Sequence, residues 1–314
     1  MKCLVTGGAG FIGSTLVDRL LAEDHEIDVI DDLSTGSLGN LAAARAEGGK
    51  AFRFHQADIR AAEIVDVIGR IRPEVVFHLA AQADVRVSVA RPVFDAEVNI
   101  IGSLNVLEGA RTGGASKVVF ASSGGTIYGD PPAEALPLKE SQPQTPVSPY
   151  GVAKKTVGDY LRAYRELHDL EFTALALANV YGPRQDPHGE AGVVAIFAER
   201  LLAGQTCQVF GTGEQTRDFV FVDDVVDAFA RAAERGGGLL LNIGTGMETS
   251  VNRLYEVMAA VAGRSGAPEH AEARPGELAR SSLDPAKASI HLGWKPWTSL
   301  EDGLAAVMRW CQSK

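Results

Sequence analysis

A tyrosine and a lysine stand four residues apart in the segment Ser148-Pro149-Tyr150-Gly151-Val152-Ala153-Lys154. On a helix, residues at this spacing share one face. A neighbouring ammonium favours the phenolate, so Lys154 would lower the pKa of Tyr150 from its ordinary value of about 10. The pair therefore predicts a general base for proton transfer. Because the spacing also arises by chance on surface helices, its meaning depends on the rest of the chain.

A glycine-rich turn lies near the amino terminus. Leu4-Val5-Thr6 has the character of a strand, and Gly7-Gly8-Ala9-Gly10-Phe11-Ile12-Gly13 and an amphipathic segment follow it. A dinucleotide requires this order, because the glycines permit a tight turn, a close approach to the pyrophosphate and close helix packing. The residues that we expect to bind the cofactor here are Gly7, Gly10, Phe11, Ile12 and Gly13.

Acidic residues follow the next two predicted strands. Asp31 and Asp32 lie where the ribose-binding carboxylate of a dinucleotide site belongs, roughly twenty residues beyond the glycines. Such a carboxylate repels a 2′-phosphate, so the sequence predicts NAD rather than NADP, the alternative being a solvated turn carboxylate. Asp58 would reach the adenine amino group, or it would cap the next helix.

Composition limits the partners. The 314 residues are 46% hydrophobic and carry a formal net charge of −10, which disfavours nucleic acid and anionic membranes. No apolar stretch approaches the ~20 residues that span a bilayer, and the amino terminus lacks the features of a secretion signal. Cys3, Cys207 and Cys311 form no metal-ligand cluster, so we expect a cytoplasmic protein with reduced thiols and no metal.

Short apolar runs alternate with segments of helical periodicity in the first half of the chain. This alternation predicts an α/β fold, a Rossmann-type doubly wound parallel sheet. The predicted strands are Lys2–Thr6, Glu26–Ile30, Ala51–His55, Val75–Leu79, Val118–Ser122 and Phe172–Leu177. The predicted helices are Gly10–Ala22, Ala62–Arg70, Val98–Arg111 and Ser148–His168.

From Asn179 onward, turns containing Gly and Pro interrupt shorter elements. We therefore predict an NAD-binding domain over residues 1–178 and a smaller C-terminal α/β lobe, mainly for substrate, over 179–314, with the chain crossing between them. Its predicted helices are Val193–Ala203, Val225–Glu234, Val251–Ala262 and Leu300–Cys311. Gly263–Gly276 is predicted to be a connecting loop.

Over nearly its whole length the chain resembles an extended short-chain dehydrogenase/reductase of the nucleotide-sugar epimerase/dehydratase group. Besides the glycine loop and Tyr150-x-x-x-Lys154, the motifs that carry the resemblance are His78-Leu79-Ala80-Ala81-Gln82, Ser122-Ser123-Gly124-Gly125-Thr126-Ile127-Tyr128-Gly129, Asn179-Val180-Tyr181-Gly182-Pro183-Arg184 and Arg217-Asp218-Phe219-Val220-Phe221-Val222-Asp223-Asp224.

The resemblance implies that Tyr150 is the general base and that Lys154 also holds the nicotinamide ribose. The further residues that it places at the cofactor are Ile59, Leu79, Ala80, Ala81, Gln82, Asn99 and Ser122. The group also has a Ser or Thr hydroxyl beside the sugar 4-hydroxyl, and here Gly124 occupies that position. Thr126 or Ser123 is the expected replacement.

For the substrate, the resemblance implies a phosphate site and a strand that packs on uracil. The residues concerned are Asn179, Val194, Gln208, Val209, Phe210, Arg217, Arg274 and Glu277. Forked arginine donors suit a diphosphate, although a surface arginine or a core aromatic would look the same in sequence.

The resemblance leaves several reactions open. Dehydratases of the group carry Asp-Glu after the active-site Thr, whereas Gly125-Thr126 provides no carboxylic acid there. This difference favours 4-epimerisation between UDP-galactose and UDP-glucose. Arg86 and Arg184 could bind a C6 carboxylate, so a UDP-glucuronate 4-epimerase or decarboxylase is an alternative. Ser281 is small where some epimerases have a tyrosine, so a pocket that also accepts UDP-GlcNAc is a further alternative. A non-catalytic sensor of NAD or nucleotide sugar is the alternative from another class.

The group also implies a homodimer, formed through the predicted helices Val98–Arg111 and Ser148–His168. Apolar positions on those helices would serve equally well as intrachain core.

Overall fold

A central sheet of seven strands organises the protein. The computed structural model describes residues 1–187, 192–273 and 278–313. The strands, in chain order, are β1 (Lys2–Thr6), β2 (Glu26–Asp31), β3 (Phe52–Gln56), β4 (Val75–His78), β5 (Lys117–Ser123), β6 (Glu171–Leu177), β7 (Asn179–Tyr181), β8 (Gln208–Phe210), β9 (Thr216–Arg217), β10 (Phe219–Phe221), β11 (Leu239–Ile243), β12 (Thr249–Ser250) and β13 (Glu269–Ala271).

The sheet has the order β11-β6-β5-β4-β1-β2-β3, and every neighbouring pair in it is parallel. All four residues of β4 are buried, as expected for a strand covered by helices on both faces. The order reverses between β1 and β4, and in open α/β sheets ligands bind beyond the carboxyl ends of the strands at such a point. The predicted Rossmann-type α/β fold is confirmed.

Thirteen α-helices are present in the described ranges. They are α1 (Phe11–Ala22), α2 (Ala42–Glu47), α3 (Ile64–Ile71), α4 (Val85–Ala90), α5 (Pro92–Ala96), α6 (Gly102–Gly113), α7 (Gly124–Ile127), α8 (Pro149–His168), α9 (Val193–Leu202), α10 (Val222–Ala232), α11 (Val251–Val261), α12 (Ala286–Leu292) and α13 (Leu300–Gln312). A π-helical turn, Glu97–Ile101, leads directly into α6. It replaces the first residues of the helix predicted from Val98.

Residues beyond 178 return to the central sheet. Strand β11 pairs with β6 at the sheet edge, and α10 packs on α1. Strand β11 is absent from the sequence-based prediction, because the run Leu239-Leu240-Leu241 is short and follows three glycines. The division at residue 178 therefore stays a prediction, with the chain passing from one part to the other and back.

Three two-stranded sheets complete the C-terminal half: β7 with β10, β9 with β12 and β8 with β13. The prediction that Gly263–Gly276 is a plain loop is wrong for its middle, because β13 pairs there in parallel with β8. The short strand is polar and exposed, so it lacks the apolar alternation that indicates a strand. Among the described residues, no helix has the length and apolar character that crossing a bilayer requires.

Candidate active site

The glycine loop follows β1 and touches the loop that follows β4. Gly7 has φ of +71°, and a Cβ on it would lie 2.6 Å from the amide nitrogen of Ala80. A Cβ on Gly13 would overlap the carbonyl oxygen of Gly7. Because Gly10 precedes α1 without a side chain to cap it, the first amides of that helix keep their N–H groups for an anion. The loop thus fits a pyrophosphate.

Asp31 and Asp32 have different surroundings at the end of β2. Asp31 is 7% exposed, and its carboxylate accepts hydrogen bonds from the amides of Ala9 (2.9 Å) and Leu33 (2.8 Å). Burial raises the pKa of Asp31. Asp32 is exposed and accepts from the amide and hydroxyl of Ser34, which is the geometry of a turn carboxylate. Asp31 is therefore the better placed ribose ligand.

Asp58 and Ile59 are held by protein contacts. The Asp58 carboxylate forms a two-pronged ion pair with Arg60, which lowers the pKa of Asp58. It also accepts the amide hydrogen of Arg60 at 2.8 Å, so its role as a turn cap is visible. The Ile59 side chain is buried in the core, and its carbonyl accepts a hydrogen bond from Asn105. A contact of either residue with adenine stays a prediction.

Tyr150 and Lys154 lie in the first turns of α8. Ser148 caps this helix by accepting the amide hydrogen of Gly151 at 3.1 Å, and Pro149 occupies its first turn. The Nζ atom of Lys154 is 5.6 Å from the centroid of the Tyr150 ring, so the two side chains share a face. The structure brings together the pair that the spacing indicated.

Lys154 is 4% exposed, and its ammonium donates to the carbonyl oxygen of Ala121 at 2.9 Å. Burial lowers the pKa of Lys154 to about 8, and the negative charge of Asp95 opposes that shift. The ammonium also lies 4.8 Å from the Phe120 ring centroid. The lysine is thus anchored to β5, beside the edge where the glycine loop lies.

Gln82 and Asn99 bind each other. The Asn99 side chain accepts the amide hydrogen of Gln82 (3.0 Å) and donates to the carbonyl oxygen of Gln82 (2.9 Å). Both side chains also donate to the buried carboxylate of Asp95. Their amides therefore hold the loop after β4 in place, and the polar atoms that were expected to face the cofactor are largely engaged within the protein.

His78, at the end of β4, connects three elements. It forms hydrogen bonds to the hydroxyls of Thr6 (2.7 Å) and Ser103 (2.8 Å), and it is 1% exposed. Burial, with a smaller contribution from the charge of Lys154, lowers the pKa of His78 to about 3. The ring is neutral at physiological pH. The histidine ties β4 to β1 and α6, a role that the sequence motif alone did not show.

The expected substrate residues fall into two groups. Asn179 and Gln208 are exposed, Phe210 and Arg217 are partly buried, and the Arg217 guanidinium donates to the carbonyl oxygens of Thr216 and Leu278. By contrast, the side chains of Val194 and Val209 lie in the hydrophobic core. These two residues can reach a ligand only through their backbone. Arg274 and Glu277 lie outside the described residues.

The sequence matches the profile of the NAD dependent epimerase/dehydratase family over residues 3–244. It is 51% identical to a UDP-glucose 4-epimerase of Mycolicibacterium smegmatis, over an alignment covering 100% of this chain and 99% of that protein. The chain belongs to the NAD-dependent epimerase/dehydratase family. The family predicted from the motifs is thereby confirmed.

Two solved structures of family members resemble the whole fold. The crystal structure of UDP-glucose 4-epimerase from Thermotoga maritima with UDP-glucose has a TM-score of 0.95 and 44% identity, covering 100% of this chain and 99% of that one. The Thermus thermophilus UDP-glucose 4-epimerase complex with NAD has a TM-score of 0.92 and 42% identity, covering 99% of each chain. These likenesses agree with the predicted NAD-dependent chemistry.

This family member has Gly124 where the motif comparison places a hydroxyl, and the structure gives a reason. A Cβ on Gly124 would overlap Cδ1 of Leu283 and lie 3.2 Å from the carbonyl oxygen of Ala176. The neighbouring Ser122 is buried, whereas the two predicted replacements, Ser123 and Thr126, are partly exposed. Both of these hydroxyls stay candidates for the role.

Thr126 has one further feature in its favour. A Cβ on Gly151 would lie only 2.7 Å from the carbonyl oxygen of Thr126. Helix α7 therefore contacts α8 at the residue next to Tyr150. The Thr126 hydroxyl makes a long contact, 3.5 Å, with the carbonyl oxygen of Ser123. A hydroxyl held this weakly can turn toward a substrate.

Asp218 is a second residue whose role the sequence did not reveal. It is 1% exposed and accepts hydrogen bonds from the amides of Thr245, Gly246 and Leu283 and from the Thr245 hydroxyl. It follows Arg217 directly, so it fixes the backbone at a predicted phosphate ligand. An Arg-Asp pair at a strand end could have indicated this arrangement.

Proposed function

We propose that this chain is a UDP-glucose 4-epimerase that interconverts UDP-galactose and UDP-glucose through a transient 4-keto-sugar. The observation that carries the proposal is the placement of Tyr150 and Lys154 on one face of α8, with Lys154 anchored to β5 in the same sheet as β1, which leads into the glycine loop. A base next to a dinucleotide is what reversible oxidation of a carbinol requires.

When bound, NAD would supply reversible hydride acceptance at C4 of the sugar, which no side chain of the chain can provide. Gly7, Gly10 and the start of α1 would hold its pyrophosphate, and Asp31 would hold the adenosine ribose. The fit rests on the close approach of the Gly7 and Ala80 backbones and on the buried carboxylate of Asp31. The glycine loop leaves no space for side chains at these positions.

The chain moves the proton. Tyr150, as phenolate, takes the proton of the 4-hydroxyl, and it returns a proton to the 4-keto oxygen when the product forms. Lys154 holds the nicotinamide ribose and keeps the phenol acidic through its positive charge. Thr126 is the best placed of the two hydroxyls to orient the sugar oxygen.

The nucleotide half of the substrate would lie across the C-terminal elements. Asn179 and Arg217 suit the diphosphate, and β8 with Phe210 suits the uracil ring. Arg274 and Glu277 belong to the same predicted set.

Two contacts count against glucuronate as the substrate. UDP-glucuronate is an alternative because a C6 carboxylate needs a cation, which Arg86 or Arg184 would supply. Arg86 donates to the carboxylate of Asp84 (2.7 Å), and Arg184 to that of Asp18 (2.6 Å). These partners offset part of the positive charge that either guanidinium would offer a C6 carboxylate, which favours a neutral hexose, although Nη1 of Arg184 keeps an unused donor.

The experiment is to incubate the purified protein with UDP-galactose, UDP-glucose, UDP-GlcNAc and UDP-glucuronate and to separate the products. Conversion of UDP-galactose to UDP-glucose without net reduction of NAD is expected, and Tyr150→Phe should lower kcat by at least about 100-fold. Tyr255→Phe is the matched control, because Tyr255 lies on α11 and its hydroxyl makes only a long hydrogen bond, 3.4 Å, to the carbonyl oxygen of Gly266. Tight NAD binding without turnover of any nucleotide sugar would instead support the sensor hypothesis.

Substrate breadth depends on Ser281, which is 6% exposed. Its small side chain leaves more room than a tyrosine would, so we expect turnover of UDP-GlcNAc as well. Ser281→Tyr should abolish that turnover and spare UDP-galactose. An absence of UDP-GlcNAc turnover in the unchanged protein would contradict the hypothesis.

We also propose a homodimer in the cytoplasm. Ile101, Val152 and Tyr160 are 50%, 46% and 39% exposed on the two helices predicted for the interface, which supports contact with a second copy. Cys3 and Cys207 are buried thiols, which suits a reducing compartment. Val152→Glu should halve the mass measured by sedimentation equilibrium, whereas an unchanged mass would place the interface elsewhere.

A further inference from the structure

A buried carboxylate that is not one of the motif residues lies on a helix that packs against the helix of Lys154. Asp95 is 1% exposed and belongs to α5, which packs on α8. Its Oδ1 atom accepts hydrogen bonds from the side-chain amides of Gln82 (2.9 Å) and Asn99 (2.8 Å). The π-helical turn carries Asn99 into this position, four residues after Asp95.

A buried ammonium is costly unless a negative charge compensates it. Lys154 donates to a neutral carbonyl oxygen, that of Ala121, which satisfies one hydrogen without balancing the charge. The ionisable groups around Lys154 are His78 from β4, Tyr150 from its own helix and Asp95 from α5. Asp95 lines the same cavity as Ala153, the residue before Lys154, where α5 packs on α8. His78 is neutral, so Asp95 is the acidic group that compensates Lys154 before the phenol ionises.

We propose that Asp95 is a positioning residue that supplies the counter-charge for the Lys154 ammonium and, through the Gln82 and Asn99 amides, fixes the loop after β4 against α8. The inference rests on the proposed function, because it gives Lys154 a catalytic task. Without the carboxylate, Lys154 would lose its proton more readily, above all beside a positively charged nicotinamide. A neutral lysine no longer makes Tyr150 acidic.

The hydrogen-bond geometry allows the charge to be removed alone. Both amides donate to the same oxygen of Asp95, so the side-chain carbonyl oxygen introduced by Asp95→Asn can accept both hydrogen bonds. The matched control is Asp159→Asn, an exposed aspartate on α8 that pairs with Lys155 and Arg162.

The first measurement is the pH dependence of kcat for UDP-galactose. In Asp95→Asn we expect kcat near neutral pH to be about tenfold lower, while KM stays within about twofold. The decrease of kcat at alkaline pH should begin at a lower pH than in the unchanged protein. Asp159→Asn should match the unchanged protein. A loss of kcat that is uniform across pH, or no loss, would overturn the proposal, because a merely structural role does not move the pH profile.

The second measurement needs no activity, so it separates this inference from the proposed function. Lys154→Met leaves the Asp95 carboxylate buried without its cation, and adding Asp95→Asn removes that charge. The double variant should therefore melt at a higher temperature than Lys154→Met, whereas Asp95→Asn alone should melt at a lower temperature than the unchanged protein. If Asp95→Asn lowers the melting temperature equally in the unchanged protein and in Lys154→Met, the two charges are not coupled. The comparison within the Lys154→Met background holds even if Asp95→Asn alone does not fold.

Discussion

Placing the hydroxyl typical of the family at position 124 should destabilise this protein. In Gly124→Ser the new Cβ would overlap Cδ1 of Leu283 and lie 3.0 Å from its Cδ2, whereas carbon atoms pack at about 3.5–4.0 Å. Leu283 cannot move away easily. Its backbone amide donates a hydrogen bond to Asp218, and its backbone forms an isolated β-bridge with Leu138. Its side chain is 0% exposed.

The cost follows from this packing. Both methyl groups of Leu283 would have to move into a cluster formed by Ile127, Tyr128, Leu138 and Ala176, all at most 3% exposed. Overpacking of this kind costs about 1–3 kcal/mol. Leu283→Ala alone should cost about 2–5 kcal/mol through the cavity that it leaves. In the double variant the serine occupies part of that cavity, so the added cost of Gly124→Ser should then be smaller by about 1 kcal/mol or more.

The assay is urea unfolding followed by tryptophan fluorescence, with Gly125→Ser as the matched control. No heavy atom of the described residues lies within 4 Å of a Cβ on Gly125, so this neighbouring substitution should change the free energy of unfolding by less than about 1 kcal/mol. If Gly124→Ser costs as much in the Leu283→Ala background as it does when Leu283 is intact, the packing argument is refuted.

Three further predictions concern the cofactor, the hydroxyl and acid stability. Asp31→Ala should lower the preference for NAD over NADP by about tenfold or more in binding titrations, while Asp32→Ala should not. Thr126→Val should lower kcat for UDP-galactose by about tenfold or more, and Ser123→Ala by less; the reverse order would assign the role to Ser123. Because the pKa of His78 is lowered from 6.5 to about 3, its contribution to stability is complete above pH 6.5 and is lost as pH falls toward 3. The urea concentration at the unfolding midpoint should therefore decrease as the pH is lowered over this range. The decrease should be smaller in His78→Gln than in the unchanged protein.

The sequence predicted the first half of the fold well, for physical reasons. Strands β1, β2, β4, β5 and β6 are mostly buried runs bounded by turns, and α1 and α8 begin at recognisable signals, Gly10 and Ser148-Pro149. The signals fail where tertiary contacts decide. Strand β13 is polar and forms only because β8 lies beside it, and the π-helical turn depends on the hydrogen bonds of Asn99.

The same distinction applies to the site. Tyr150, Lys154 and the glycine loop could be predicted because each depends on local spacing. The contacts of Asp95 and Asp218 were harder to predict, because Asp95 lies outside the quoted motifs and the partners of Asp218, Thr245 and Leu283, are distant in sequence. Val194 was predicted to bind substrate, but its side chain is buried in the core. A resemblance identifies the residue without showing whether its side chain or its backbone faces the ligand.

The residues proposed for the cofactor and those proposed for the substrate are held in different ways, and this difference bears on specificity. On the proposed cofactor side, His78 bonds to the hydroxyls of Thr6 and Ser103, and the Asn99 side chain donates to Gln82 and Asp95, so the geometry around Lys154 is set before any ligand arrives. Beside Arg217, a proposed diphosphate ligand, the buried carboxylate of Asp218 accepts the amides of two loops, at Thr245 and Leu283. Changes in those loops can therefore alter the sugar that is accepted without disturbing the proton transfer. Differences in substrate among enzymes with this fold should accordingly concentrate near residues 245 and 283 rather than along α8.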